Sequence, residues 1–324
     1  MQPLAALGLE PLAADLERVE TALAGAVRSD DPFLGEVASH LVKAGGKRLR
    51  PALTLCTGYA AHGLGPAIDE AITGAVAVEL VHLGSLYHDD VIDEAETRRG
   101  VPSVNARWSN IVAILAGDYL LARASELAAS LGAPVAALLA ETIGELCRGQ
   151  VLELQHLFDV DRSEELYFSA IGGKTAALFA TACRIGGMVA EVDGPTLDAL
   201  TEFGQHVGVC FQIVDDVLDV TGSDASLGKP AGNDLMEGVY TLPVILALDR
   251  IPALRELLGR KLDDEQVEEA RRLAASDGAV DAALDAARDQ AARADKVLAA
   301  TVGLDPDVTS GLRRLVEELV ARDN

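Results

Sequence analysis

The sequence predicts an all-α, single-domain protein, and three observations carry that expectation. Apolar residues recur at helical spacing along nearly the whole chain, with no convincing alternating strand. Alanine and leucine, both strong helix formers, dominate. Breakers fall where helices would end: residues 63–66, 100–102, 132–134, 194–195 and 222–230 each carry glycine with proline. The 324 residues are 49% hydrophobic, enough for a sizeable core, so disorder is excluded as the general state. No repeat, low-complexity linker or domain boundary interrupts the pattern.

Taken in order, Asp31–Pro32 reads as a helix start. The apolar run AITGAVAVELVHLGSLY is interrupted by Glu79 and His82 and reads as a buried helix, not a membrane span. Ser163, with Glu165 close behind, marks another start. From Asp263 onward the chain is charged and amphipathic and reads as helices with a solvated face. The first twenty residues lack a basic region ahead of an apolar run, so no secretory leader is expected. Cys56, Cys147, Cys183 and Cys210 lie far apart without a CxxC pair and read as buried thiols of a cytoplasmic protein.

The net charge of −24 repels phosphate backbones and anionic lipid, which disfavours nucleic-acid and membrane partners. An anionic substrate must then be caught by a few placed cations or by metal. The lysines are Lys43, Lys47, Lys174, Lys229, Lys261 and Lys296, and their scarcity makes each informative.

Two acidic clusters stand out. In HDDVIDEAETRRG, Asp89 and Asp93 share one helix face, with Asp90 one step round. In FQIVDDVLDVTG, Asp215, Asp216 and Asp219 repeat that spacing. One such cluster reads equally well as an exposed helix end. Two, each following an apolar run that should bury its helix, place carboxylates where they repel one another and lose hydration. A divalent cation resolves that repulsion; hard oxygen donors without a His/Cys set indicate Mg²⁺, with Mn²⁺ as a substitute, shared with substrate phosphates. No calcium-binding EF-hand loop is present.

The basic residues agree. Lys47, Lys174 and Lys229 are flanked by glycine, as in a backbone cradle for phosphate. Arg98 and Arg99 follow the first acidic cluster and carry forked donors, whereas Arg48 reads as readily as a surface charge. GGKT is not a P-loop: the first glycine would have to be Phe168, and no strand precedes it.

With these motifs in hand, the chain resembles the trans-isoprenyl diphosphate synthases (polyprenyl synthetases) of medium or long chain length. The resemblance runs through GGKRLRP (45–51), HDDVIDEAETRRG (88–100), LAGDYLLARA (115–124), GQVLEL (149–154), GGKTAALFATAC (172–183), FQIVDDVLDVTG (211–222) and GKPAGNDLMEGVYTLP (228–243). It implies one polyprenyl synthetase domain over residues 1–324, a helical bundle around a central cavity, a homodimer, and Mg²⁺-dependent elongation of an allylic diphosphate by trans head-to-tail condensation with isopentenyl diphosphate. By the same resemblance Asp89, Asp93 and Asp215 ligate metal, with Asp90, Asp216 and Asp219 supporting. Lys47, Arg50, His82 and Arg99 match isopentenyl diphosphate-binding positions; Arg98, Lys174, Thr175, Gln212 and Lys229 match allylic diphosphate-binding ones. The chain departs from the family at Val239, where a lysine is frequent. Other readings are a geranylgeranyl or farnesyl diphosphate synthase, a terpene cyclase, or a non-catalytic subunit of a heteromeric synthase; the two intact aspartate trios and the filled isopentenyl positions argue against the last two.

The growing tail is expected to run beneath the first aspartates. Gly84 and Ser85 are small, and Val81 and Ala77 lie on deeper turns. Each open turn adds about 5.4 Å, close to one isoprene unit, so a product longer than geranylgeranyl diphosphate is expected. Tyr87 is the aromatic that would shorten that path by turning inward, and Gly84 and Ser85 would equally serve close helix packing.

Overall fold

A computed structural model describes residues 3–222 and 231–321. The fold is all-α. The helices that matter here are α1 (Leu12–Ala26), α2 (Pro32–Ala38), α3 (His40–Lys43), α4 (Leu49–His62), α5 (Asp69–Ile92), α6 (Val104–Arg107), α7 (Asn110–Ser130), α8 (Ala133–Gln155), α9 (Glu164–Ile171), α10 (Ala177–Val189), α11 (Gly194–Thr221) and α12 (Asn233–Glu237). They continue as α13 (Leu242–Leu248), α14 (Pro252–Leu257), α15 (Asp264–Ala274), α16 (Ala279–Ala300) and α17 (Pro306–Val320). Asp31 caps α2, its Oδ1 accepting the Phe33 and Leu34 N–H groups at 2.9 and 3.0 Å. Ser163 caps α9 through Leu166 N–H.

The chain forms two compact units. One comprises Met1–Ile143, Leu178–Gly204 and Asp295–Leu315; the other comprises Gly144–Ala177, Gln205–Ala294 and Val316–Asn324.

In the first unit α5 packs against α1, α4 and α7. Its apolar residues are buried on all sides, from Ala71 through Leu80 and Val81 to Tyr87, which is why no amphipathic stripe is visible in its sequence. Gly84 lets α7 approach: a Cβ there would lie 3.1 Å from the Gly117 carbonyl oxygen and from Leu121. The Tyr87 ring is fully buried, and its hydroxyl donates to the Val37 carbonyl at 2.7 Å. It faces α2 and is not a blade turned toward Ser85.

In the second unit a single apolar cluster gathers Tyr167, Ile213, Val217, Leu235, Tyr240, Leu248, Ala270 and Ala283. The alanines of α15 and α16 form its outer layer, so the charged C-terminal stretch has the buried stripe its amphipathic pattern implies.

Three expectations need correction. Thr97–Arg98 and Val101–Pro102 form a two-residue antiparallel ladder, because Arg99 (φ 55°) and Gly100 (φ 74°) both adopt the left-handed conformation of a tight hairpin turn. Arg48 is not a surface charge but is buried in ion pairs. Cys147 is exposed, while the other three cysteines are buried, because it lies on the outer face of α8.

Candidate active site

The first acidic cluster closes α5. Asp93 stands just past the helix end, its N–H donating to the Asp89 carbonyl at 2.8 Å. Burial divides the trio: Asp90 is fully buried, while Asp89 and Asp93 keep part of their surface accessible. Asp90 Oδ1 accepts Arg98 Nε at 2.6 Å, and its Oδ2 is a buried oxygen without a hydrogen-bond partner. Burial raises its pKa above the usual carboxylate value, with Arg98 pulling the other way.

The hairpin turn that sets Arg98 on Asp90 also sends Arg99 back across the chain. Its Nη1 donates to the carbonyls of Leu41 and Gly45. The guanidinium lies flat on Gly46, where an added Cβ would be 2.9 Å from Arg99 Cζ. Glycine is therefore required at position 46 for the approach of Arg99. Gly46 takes part in this contact, while the space above Gly45 (φ 82°) is open.

Arg50 stacks on Phe179 at 4.4 Å, and burial lowers its pKa to about 10. His82, on α5, is held neutral: burial and then the charges of Arg50 and Arg99 drive its pKa well below the ordinary histidine value. Lys47 is exposed at the mouth of this group. Glu79, 2% exposed, accepts Arg48 Nη1 at 2.6 Å and lies 4.0 Å from Arg99 Nη2.

The second acidic cluster sits on α11. Asp216 and Asp219 are buried and Asp215 is partly accessible; in both trios the first aspartate is accessible and the second buried, but the third is accessible at Asp93 and buried at Asp219. Tyr167 O–H donates to Asp216 Oδ2 at 2.6 Å, and Gln212 Nε2 donates to Asp216 Oδ1 at 2.7 Å. The Gln212 carbonyl oxygen in turn accepts Thr175 Oγ1 at 2.6 Å. Burial pushes Asp216 up to about 7 despite the Tyr167 and Gln212 donors. Asp219 accepts the Gly232 N–H on its backbone carbonyl at 2.9 Å and the Asp234 N–H on Oδ2 at 3.3 Å, fixing the start of α12.

Lys174 and Thr175 lie in a wide π-helical turn, Gly172–Ala176, joining α9 to α10. Lys174 Nζ donates to Glu153 of α8. Gly149 and Gly173 bring α8 onto this turn: a Cβ on Gly149 would lie 2.3 Å from Lys174 N, and one on Gly173 would lie 2.9 Å from the Glu145 carbonyl. Gly149 and Gly173 thus serve helix contact, while Gly172 meets only Gln205 Nε2 at 3.7 Å. Val239 donates its N–H to the Asp234 carbonyl at 2.8 Å. Lys229 lies outside the described residues.

The structure thus gathers Lys47, Arg50, His82, Arg99, Arg98 and the 89–93 aspartates in the first unit. It gathers Lys174, Thr175, Gln212 and the 215–219 aspartates in the second. Sequence reasoning missed their internal partners. Glu79 appeared only as an interruption of an apolar run, Glu153 only as part of GQVLEL, Phe179 only as part of GGKTAALFATAC, and Tyr167 not at all. A buried acid gives no local signal of its partner; its role depends on which cations fold over it. Among the described residues no three His, Cys, Asp or Glu side chains are already drawn together as a metal cage. No described helix is long and apolar enough to cross a membrane.

The polyprenyl synthetase family model matches residues 31–275. A heptaprenyl diphosphate synthase component 2 from Geobacillus stearothermophilus is 45% identical over 255 residues, 78% of this chain and 79% of its own. The nonaprenyl diphosphate synthase of Mycobacterium tuberculosis is 40% identical over 319 residues, 95% of this chain and 92% of its own. Among solved structures, a polyprenyl synthase from Caulobacter crescentus, complexed with calcium and isoprenyl diphosphate, superposes with a TM-score of 0.90. It is 36% identical and covers 96% of each chain. A match over so much of the chain, joined to two aspartate trios of like construction, leads to one conclusion: this chain belongs to the polyprenyl synthetase family.

Proposed function

We propose that the chain, acting as one polyprenyl synthetase domain, elongates an allylic diphosphate by condensation with isopentenyl diphosphate to a product longer than geranylgeranyl diphosphate. The observation that carries this reading is the pairing, in both trios, of an accessible first aspartate with a buried second one. In each, a buried carboxylate is clamped by its own donors (Asp90 by Arg98, Asp216 by Tyr167 and Gln212), while Asp89, Asp93 and Asp215 stay partly accessible.

That donor set is all hard oxygen, and the partnerless Oδ2 of Asp90 adds a buried acceptor beside it, which fits Mg²⁺ or a similar divalent ion. Asp89, Asp93 and Asp215 would hold the metal, with Asp90, Asp216 and Asp219 supporting. When bound, it supplies charge neutralisation for the departing diphosphate.

The chain's own residues do the rest. Arg98, Lys174 and Lys229 oppose the charge that collects on the allylic diphosphate as its C–O bond breaks. Lys174 is kept in place by Glu153 and Arg98 by Asp90. Lys47, Arg50 and Arg99 hold isopentenyl diphosphate so that its double bond meets the allylic cation. His82, uncharged, donates an N–H to the same phosphate without adding repulsion to the arginines. The Thr175–Gln212 pair turns polar oxygens toward the cation and excludes water that would quench it. Loss of a proton then restores an allylic diphosphate one unit longer. The cations already in place compensate for Val239.

The long product is supported by the relatives' names, heptaprenyl and nonaprenyl diphosphate synthase, and by small, partly accessible Ser85 one turn before Asp89; Val81 is buried and the space at Gly84 is taken by α7. In α7, Ile111, Ile114 and Leu115 are 70%, 43% and 60% exposed in one i, i+3, i+4 stripe. We assign that stripe to the interface of a homodimer in the cytoplasm. A second reading, one component of a two-protein synthase, is favoured by the name of the Geobacillus relative, a component 2. One assay separates them. The purified chain is incubated with farnesyl and isopentenyl diphosphates and Mg²⁺, and the products are sized. Long-chain products that vanish with chelator support the reading given; cyclic hydrocarbons refute it; inertness of the chain alone favours the two-protein enzyme.

A further inference from the structure

The acid that sequence reasoning passed over lies among the cations of the first unit. Glu79 is three residues before His82 on α5, and its Oε1 meets Arg48 Nη1 at 2.6 Å and lies 4.0 Å from Arg99 Nη2. Arg48 is an unusual anchor. It caps α4 in the left-handed conformation (φ 50°, ψ 34°), between Lys47 and Arg50, and its other nitrogens reach Glu20 of α1. The 47–50 segment is therefore tied to α5 through one buried guanidinium–carboxylate pair.

Arg50 shows the second task of that acid. Its Nε is buried without a hydrogen-bond partner, and its guanidinium rests on Phe179. Burial lowers the Arg50 pKa to about 10; Glu79 pulls it up and Arg99 pushes it further down. Arg50 and Arg99 thus repel each other beside one shared counter-charge.

We propose that Glu79 is the positioning residue for the isopentenyl diphosphate-binding cations: it tethers the 47–50 segment through Arg48 and offsets the repulsion between Arg50 and Arg99. This inference rests on the assignment of Lys47, Arg50, His82 and Arg99 to that substrate. Two effects oppose each other when the charge is removed. A more positive pocket attracts a diphosphate more strongly, but donors no longer held at fixed positions bind it less well. Placement wins, because a diphosphate needs several forked donors aimed at once. The added field, by contrast, is screened at a site open to solvent at Lys47.

The test is steady-state kinetics of Glu79→Gln with each substrate varied in turn. The KM for isopentenyl diphosphate is expected to rise about tenfold, with the allylic KM within about twofold of wild type and kcat within about threefold. Glu20→Gln, which removes only the half-exposed outer partner of Arg48, is expected to leave both KM values within about twofold. If Glu79→Gln does not fold, Glu79→Asp is measured instead, with a rise of about threefold expected in the same KM alone. An isopentenyl KM that is unchanged or lower overturns the proposal. So does an equal rise in both KM values, which marks a merely structural ion pair. A Glu20→Gln effect as large as that of Glu79→Gln also overturns it, since the tether alone would then suffice. Failure of the substrate assignment is seen separately, in a wild-type enzyme that incorporates no isopentenyl diphosphate.

Discussion

Single atoms decide how the first unit holds its cations. The space above Gly46 is filled by the Arg99 guanidinium, 2.9 Å from where a Cβ would sit. Gly46→Ala is expected to displace Arg99 and raise the isopentenyl diphosphate KM about tenfold while sparing the allylic one, as steady-state kinetics will check. His82 makes a prediction about stability. Its folded pKa lies well below the ordinary value, because of burial and then Arg50 and Arg99, whereas an unfolded chain titrates it near ~6.5. Below that pH, unfolding takes up a proton that the folded site refuses. Stability is therefore lost as pH falls from ~6.5 toward the folded pKa, by at most about 1.4 kcal/mol per pH unit, and this contribution is flat above it. Urea unfolding at pH 7.5 and 5.5 should show that loss in wild type and less of it in His82→Gln; equal losses in both would remove His82 from the account.

At the scale of elements, the structure rests on close crossings that glycine permits. A Cβ on Gly149 would fall 2.3 Å from the Lys174 backbone nitrogen, which has no flexible end to yield. Gly149→Ala is expected to cost roughly 1–3 kcal/mol in denaturant unfolding and to lower activity, since the turn carrying Lys174 and Thr175 must shift. The same logic explains what was legible beforehand. Helix ends were readable at Asp31–Pro32 and Ser163 because caps are local chemistry. Both aspartate trios were readable because four-residue spacing is a property of the helix itself. The Arg99–Gly100 hairpin, the π turn and the partners Glu79, Glu153 and Tyr167 were not. The hairpin is local, but its two-residue strands are too short to show alternation; the others depend on residues distant in sequence, as with Tyr167 and Asp216, separated by 49 positions. The close contacts at Gly46 and Gly173 were hidden for the same reason: glycine spacing looks alike whether the approaching group is a phosphate, a guanidinium or a helix.

Two consequences belong to the whole molecule. The α7 stripe of Ile111, Ile114 and Leu115 leaves more apolar surface exposed than an isolated helix face needs. Ile111→Asp combined with Leu115→Glu is expected to convert a dimer into monomers in sedimentation analysis; a wild-type chain already monomeric would refute the assignment of that face. Product size is the other whole-molecule property. Ser85→Phe is expected to shorten the products, read by chromatography of the dephosphorylated alcohols, and an unaltered distribution would show that the tail takes another route. The second turns on the anchoring of Tyr87, whose hydroxyl is committed to the Val37 carbonyl. With that ring enlisted as masonry in the wall behind α5, nothing of its bulk remains beside the aspartates to serve as a stopper. On the proposed path past Ser85, room and not an obstacle would set the stopping point, so one codon on α5 is expected to be enough to retune product length.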